Sequence, residues 1–145
     1  MTGDNKRTIQ RMEQALNQRD WQAFEAQFSD VVRWGRFPVQ RDVPRSDYVA
    51  VVQGIVQTFP DWHVEIQRLI AEDDWVAERT KVSGTHRARA ETSHHGDLRS
   101  FEPTGRPVEV WQAHFWRLSG DVIVEHEAIR DDLGLFRQLG LLGPL

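Results

Sequence analysis

Residues 108–132, VEVWQAHFWRLSGDVIVEHEAIRDD, decide how this chain is read. Two runs rich in Val, Ile, Trp and Phe, Val108 to Leu118 and Asp121 to Ile129, flank Ser119-Gly120, the composition of two strands joined by a tight turn. Arg130-Asp131-Asp132 follows, and Leu133, Leu135, Phe136 and Leu139 make a short terminal helix. Because side chains alternate along a strand, Gln112, His114 and Trp116 share one face, and on the second strand Val124, His126, Ala128 and Arg130 do so. The hairpin therefore sets two imidazoles on neighbouring strands, with an Asp pair at the rim of the sheet.

Outward from the hairpin, the pattern turns helical toward the start of the chain. Ile9, Met12 and Leu16 form one apolar stripe of a helix with a wet outer face, and Trp21, Phe24 and Phe28 predict a second short helix folded against it. Residues 30–44 show no clean period, which predicts a short strand at Val31 to Trp34 and then an irregular stretch. Ser46 is a plausible N-cap for a helix over 46–59, where Tyr48, Val51, Val52, Ile55, Val56 and Phe59 fall at helical spacings until Pro60. Val64-Ile66, Leu69-Ile70 and Trp75 to Ser83 read as strands around the acidic turn Glu72-Asp73-Asp74, and Arg87 to Pro107 as a long polar loop. Helices first and antiparallel strands after imply an α+β domain over residues 1–145. Its curved antiparallel or mixed sheet, of about four to six strands, is closed on the concave side by the N-terminal helices, which leaves a cavity between the layers.

Composition narrows the chemistry. A length of 145 residues suits a single core, and a net charge of -4 without a basic run argues against nucleic acid as a partner. The absence of Cys excludes disulfides, thiolate catalysis and Cys-ligated metal. The start, Met1 to Lys6, carries no apolar signal segment, and no run reaches the roughly 18 apolar residues of a membrane span, so a soluble, cytoplasmic protein is expected. Six Trp and seven Phe suit both a core and an apolar small-molecule pocket. Trp111 and Phe115, on the outward face of the last strands, point to a homodimer.

Two His on adjacent strands facing a cavity can act as acid and base, since an imidazole pKa of about 6.5 permits both roles. Each is equally explained as a half-buried side chain bonded to backbone. Asp131 caps the last helix, orients Arg130 or a His, or does both. His86, where a strand enters the long loop, stands at the expected cavity mouth. His94-His95 make a poor chelate and no ligand spacing occurs elsewhere, so no metal and no cofactor are expected. Arg33, Arg36 and Arg41 either meet an anionic substrate or are solvated surface.

Phe59-Pro60-Asp61, Gly84-Thr85-His86, Pro103-Thr104-Gly105-Arg106-Pro107, Glu125-His126, and Asp131-Asp132-Leu133-Gly134 through Gln138-Leu139-Gly140 occur in that order. The ordered set resembles the SnoaL-like polyketide cyclase family, from the first helix to the last. The resemblance implies the cone-shaped fold of nuclear transport factor two and cystatin-like proteins, dimeric or tetrameric through the sheet. It also implies cofactor-free ring closure by intramolecular aldol condensation, a lyase- or isomerase-type reaction of secondary metabolism and antibiotic biosynthesis. Residue by residue, the family's cavity His matches His114 and its last-strand His matches His126. The cyclases' acid/base Asp, two residues after the latter, is Ala128 here, and Arg33-Trp34 stands where some cyclases carry an Asn. The expectation is an acid/base site of His114, His126 and Asp131, with Arg130 stabilising an enolate or alkoxide. His86, Trp34, Tyr48, Gln112, Trp116 and Ala128 would contact a polyketide-like or polycyclic substrate, and activity would fall on the acid side within about a unit of 6.5. The alternatives are a hydroxylase-like or epoxide hydrolase-like relative that activates water with an Asp-Arg-Asp set, and a non-catalytic small-molecule-binding or dimerisation module. An enzyme requires a closed apolar pocket holding at least two of the named His or Asp, whereas a binding module would show a filled cone.

Overall fold

A computed structural model describes residues 2–36, 39–91 and 98–143. Helix α1, Thr2–Gln18, buries Ile9, Met12 and Leu16 against the sheet, and Asp20 accepts a hydrogen bond from Ala23 N at 3.1 Å to cap α2, Trp21–Glu25. Phe28 belongs to the first strand rather than to α2. Strand β1, Phe28–Arg36, pairs antiparallel with β2, Val39–Pro44, so a hairpin replaces the irregular stretch expected after Trp34. Only Val43 of β2 is buried, because β2 is an edge strand, and an edge strand of this kind has no apolar alternation to betray it.

Helix α3, Arg45–Thr58, begins one residue before the expected cap: Pro44 occupies the N-cap position and no side chain caps it, so Ser46 lies inside the first turn. It ends at Thr58, with Phe59 as C-cap ahead of Pro60. Strand β3, His63–Glu72, runs through both apolar clusters as one strand, with a register shift between Ile66 and Arg68 at its pairing to β4, Trp75–Thr85. A short 3-10 turn, Leu98–Ser100, precedes β5, Pro107–Ser119, and β6, Val122–Arg130, leads into α4, Asp132–Gln138.

The six strands form one mixed sheet in the order β2-β1-β6-β5-β4-β3, with β1 parallel to β6 and every other pair antiparallel. The β5–β6 turn is Gly120-Asp121, one residue later than Ser119-Gly120, and Gly120 takes φ +63 at its first central position, where a side chain would be strained. A register shift follows, since Arg117 pairs with Glu125 but Leu118 with Ile123. This bulge breaks the alternation, so fully buried Ile123, not Val124, takes the place beside Leu118, while His126 still faces inward. Helices α1 and α3 close the concave face, α1 against β3 and β4, α3 against β1 and β2.

Side-chain ties lock this frame. Asp61 accepts from Thr85 N at 2.6 Å and from Thr85 Oγ1 at 2.8 Å, joining the end of α3 to β4. Phe59 packs on Trp62 and on the His86 ring, with centroids 5.3 and 5.6 Å apart. Gln138 clasps the β5 backbone, its Oε1 accepting from Glu109 N at 2.7 Å and its Nε2 donating to Glu109 O at 2.9 Å.

Gly84 tests the first of these ties. A Cβ there would sit 3.0 Å from Phe59 Cβ and from Trp62 Cε3. Gly84→Ala should cost about 1–3 kcal/mol in denaturant unfolding. Gly3→Ala, where a Cβ meets nothing, should cost none. Equal stability of the two variants would show that α3 does not seat on β4 in this way.

Candidate active site

Between α1, α3 and the sheet lies a cavity of about 350 Å³. Met12, Leu16, Phe24, Val52, Ile55 and Trp62 supply apolar walls, and the sheet contributes Trp34, Gln112, His114, Trp116, His126, Ala128 and Arg130. Strand pairing explains the grouping: Trp34 and Trp116 flank His126, His114 stands beside Ala128, and Gln112 beside Arg130. Arg41 of β2 also reaches the lining, whereas Arg33 lies 3.6 Å from Asp42 and 3.7 Å from Glu125, two ion-pair contacts.

Four polar side chains on this wall form a continuous hydrogen-bonded row. The Tyr48 hydroxyl lies 2.8 Å from His126 Nδ1, His126 Nε2 lies 2.8 Å from His114 Nδ1, and His114 Nε2 lies 3.0 Å from Gln112 Oε1. The amide oxygen of Gln112 can only accept, so His114 carries its proton on Nε2 and accepts at Nδ1. His126 then donates from Nε2 and accepts at Nδ1, and Tyr48 donates its hydroxyl hydrogen. One proton fills every link, and both rings are neutral. The Trp116 indole stacks on His126 with centroids 3.8 Å apart and planes 6° apart, which fixes the ring's orientation.

The electrostatics agree with this arrangement. Burial, reinforced by the Arg130 cation, lowers the His114 pKa to about 3. Burial, then His114, then Arg130 hold His126 well below its usual value. Burial, with Glu13 and Glu78 nearby, raises the Tyr48 hydroxyl well above its usual range. The near-neutral imidazole titration expected from sequence is therefore corrected: these rings resist protonation because an imidazolium here would be buried beside a guanidinium.

Two expected site residues serve the fold. His86 is fully buried away from the cavity, not at its mouth; its Nδ1 accepts from Thr104 N at 3.2 Å and its ring packs at a tilt against Phe59. Asp131 does not line the cavity; its Oδ1 accepts from Gly134 N at 2.8 Å as the N-cap of α4, and Arg130 instead has Asp132 at 3.6 Å. The Asp-Arg-Asp set required for water activation is thus not assembled around Arg130. His94 and His95 lie outside the described residues. Among the described residues no cluster of three His, Asp or Glu is arranged to hold a metal ion, and no helix is long and apolar enough to cross a membrane.

Sequence reasoning missed Glu13 and Glu78, both buried, with Glu13 in the cavity lining. Glu13 stands at i+4 from Ile9 and i+1 from Met12, inside the apolar stripe. Glu78 sits in the buried alternation Val76, Glu78, Thr80, Val82, as the β4 partner of His114. A carboxylate on a stripe or alternation that is otherwise buried was the available signal.

The profile of the SnoaL-like polyketide cyclase family matches residues 6–139. No curated protein matches in sequence. Among solved structures, the chain is similar to IdmH from Streptomyces antibioticus, provisionally named a polyketide cyclase, at 26% identity and TM-score 0.76 over 94% of this chain and 98% of that one. AclR from Streptomyces galilaeus, provisionally named a hydroxylase, shares 24% identity at TM-score 0.83 over 99% and 100% of the two chains. An LEH-like epoxide hydrolase from M. tuberculosis shares 13% at TM-score 0.71 over 95% and 90%. The last two likenesses are of fold, the cone-shaped α+β architecture.

Both His pKa values are depressed on folding, so their contribution to stability is complete above the unfolded value of about 6.5 and is lost as pH falls toward 3. Over the same window the raised Glu13 and Glu78 act in the opposite sense, so the difference is what tests the rings: between roughly pH 7 and pH 4 the Tm of wild type should fall by more than about 5 °C relative to His114→Gln with His126→Asn. An unchanged slope in the double variant would place the acid-sensitive groups elsewhere. Asp131→Ala should cost about 1 kcal/mol of stability, as for other lost caps, and leave ligand binding unchanged.

Proposed function

Since the chain belongs to the SnoaL-like polyketide cyclase family, we propose that it closes a ring in an apolar, oxygen-rich, polyketide-like molecule by cofactor-free acid/base chemistry. The observation that carries this reading is the Tyr48–His126–His114–Gln112 row on the wall of a cavity otherwise lined by aromatic and aliphatic side chains. An unfilled cone with both imidazoles in its lining is what small-molecule chemistry requires and what a purely structural dimerisation module has no use for. The name of IdmH supports a cyclase, whereas an epoxide hydrolase-like reaction lacks support because Asp131 is engaged in capping α4.

In an aldol closure a proton leaves a carbon next to a carbonyl, the resulting enolate carbon attacks a second carbonyl carbon, and the new alkoxide takes up a proton. Arg130 in the lining supplies a fixed positive charge for the enolate and then the alkoxide. The row holds the Tyr48 hydroxyl in the lining, where the new alkoxide takes up its hydrogen and water replaces it. An imidazolium is disfavoured in this pocket, so both rings stay neutral and position Tyr48 for that protonation. Ala128 leaves space beside His114 where the cyclases carry their Asp, which selects for a substrate part that fills it. The reaction class is isomerase-type if ring closure keeps every atom of the substrate, and lyase-type if the new hydroxyl then leaves as water.

The working form proposed is a homodimer through the outer face of β5 and β6. Trp111 is 57%, Phe115 36% and Ile129 67% exposed, and Arg79 lies 4.8 Å over the Trp111 ring. Light scattering at micromolar concentration should give a dimer, and Trp111→Glu should shift it to monomer. A monomeric wild type would end that part of the proposal.

Trp34, Trp62 and Trp116 report on the cavity directly. Polyketide-like aromatic ketones should quench their fluorescence, and Ala128→Phe should abolish the quenching by filling the space. With a turned-over substrate, His126→Asn should lower kcat on the order of a hundredfold. Full turnover in His126→Asn and in His114→Gln would remove the row from the mechanism.

A further inference from the structure

The cavity holds a second group of titratable side chains that the imidazole row does not include. Glu13 projects from α1 into the lining and is only 5% exposed, and Glu78 on β4 is 2% exposed. The two carboxyls interact with each other and Glu78 with the Trp116 indole N–H, and their buried oxygens find no partner beyond this group among the described residues. Two such buried carboxyls cost stability, and nothing in the packing requires them: a Met or Leu would fill either place.

Resting on the cyclase reading above, we infer that Glu13 is a second catalytic group of the cavity, the base that takes the carbon-bound proton, with Glu78 holding the partner proton that positions it. Glu13 occupies the wall opposite the sheet, so it supplies from α1 the carboxylate that Ala128 no longer provides from β6. The step balances without a co-reactant. The C–H electron pair becomes the enolate, the proton goes to the Glu13 carboxylate, the enolate carbon bonds to the second carbonyl carbon, and the alkoxide formed there takes the Tyr48 hydroxyl hydrogen, which a proton from water replaces. Closing the cycle requires Glu13 to lose its proton, and a route exists. Glu13 also lines an open outer cleft with Gln10, Gln14, His63 and Glu65, so the same side chain borders both the cavity and water.

The titration of the pair fits this role. Burial raises both groups, the neighbouring carboxyl offsetting part of the rise at Glu13 and adding to it at Glu78, and the steps lie at about 7 and about 11. One carboxylate is then available near neutrality while its partner keeps a proton to donate, the division of labour of a carboxyl dyad. The charged and titratable groups around them are Tyr48 on α3, His114, His126 and Arg130 across the cavity, Arg41 on β2, and His63 and Glu65 on β3 at the outer cleft.

The test uses benzoylacetone as an enolisable aromatic probe, with deuterium exchange of its central methylene followed by NMR above the buffer rate and binding followed by Trp quenching. Wild type should accelerate exchange with an acid limb near 7. Glu13→Gln, which keeps the shape of the neutral acid, should abolish the acceleration while binding persists, and Glu13→Asp should retain part of it. His126→Asn should leave exchange largely intact, because it acts on the later protonation. Glu78→Leu should move the acid limb upward, since Glu13 loses the donor that stabilises its charge, and Glu78→Gln should restore it. Exchange that persists in Glu13→Gln but fails in His126→Asn overturns the inference and leaves the cyclase reading intact. Binding without exchange in wild type overturns both. Carbon NMR of labelled Glu carboxyls gives an independent reading: an ordinary titration for Glu13, near 4.5, also overturns the inference.

Discussion

The hydrogen bond between His114 and His126, 2.8 Å from Nδ1 to Nε2, is the contact on which the rest of the site depends. It exists because β5 and β6 pair in a register that sets Trp116 opposite His126 and His114 opposite Ala128, so the two imidazoles meet diagonally on the concave face. A slip of one residue would turn one ring outward. The Gly120-Asp121 turn and the bulge after it fix that register, letting Ile123 enter the core while His126 keeps its inward direction. Helix α3 then completes the row from the other layer by bringing Tyr48 to His126.

Such a wall is expensive to fold. Two neutral imidazoles, two raised carboxyls and an arginine share a buried space that aliphatic side chains would fill more favourably. The stability that carries this cost comes from the surrounding ties: Asp61 on Thr85, Phe59 against Gly84 and His86, Asp131 on Gly134, and Gln138 on Glu109. Most of the motifs that mark the chain as a member of the SnoaL-like polyketide cyclase family are these ties. They report the frame faithfully and say little about the reaction, which is set by the wall residues and by Ala128 among them.

That division explains what could be read from the sequence. Strand alternation set Gln112, His114 and Trp116 on one face, and the 3.6-residue period read over 46–59 found α3 to within a residue at each end, because both elements bury one side against the other. Strand β2 was hidden since only Val43 of it is buried, and Val124 was assigned to the cavity face because a bulge leaves no trace in composition. His86 and Asp131 carry side chains suited to chemistry but are used for packing and capping, a distinction visible only once Thr104 and Gly134 are in place. Glu13 and Glu78 were overlooked because a charge in a helix or strand is ordinarily solvated, although each occupies an otherwise apolar register position.

The central claim is that the two cavity imidazoles are neutral and share one direction of hydrogen bonding. Nitrogen NMR of the His side chains at about pH 6 tests it most directly, because ring-nitrogen shifts distinguish imidazolium and the two neutral tautomers. The expected result is two neutral rings with the proton on Nε2 and an accepting Nδ1 in both His114 and His126. An imidazolium at either position, or a proton on Nδ1 in either ring, would contradict it.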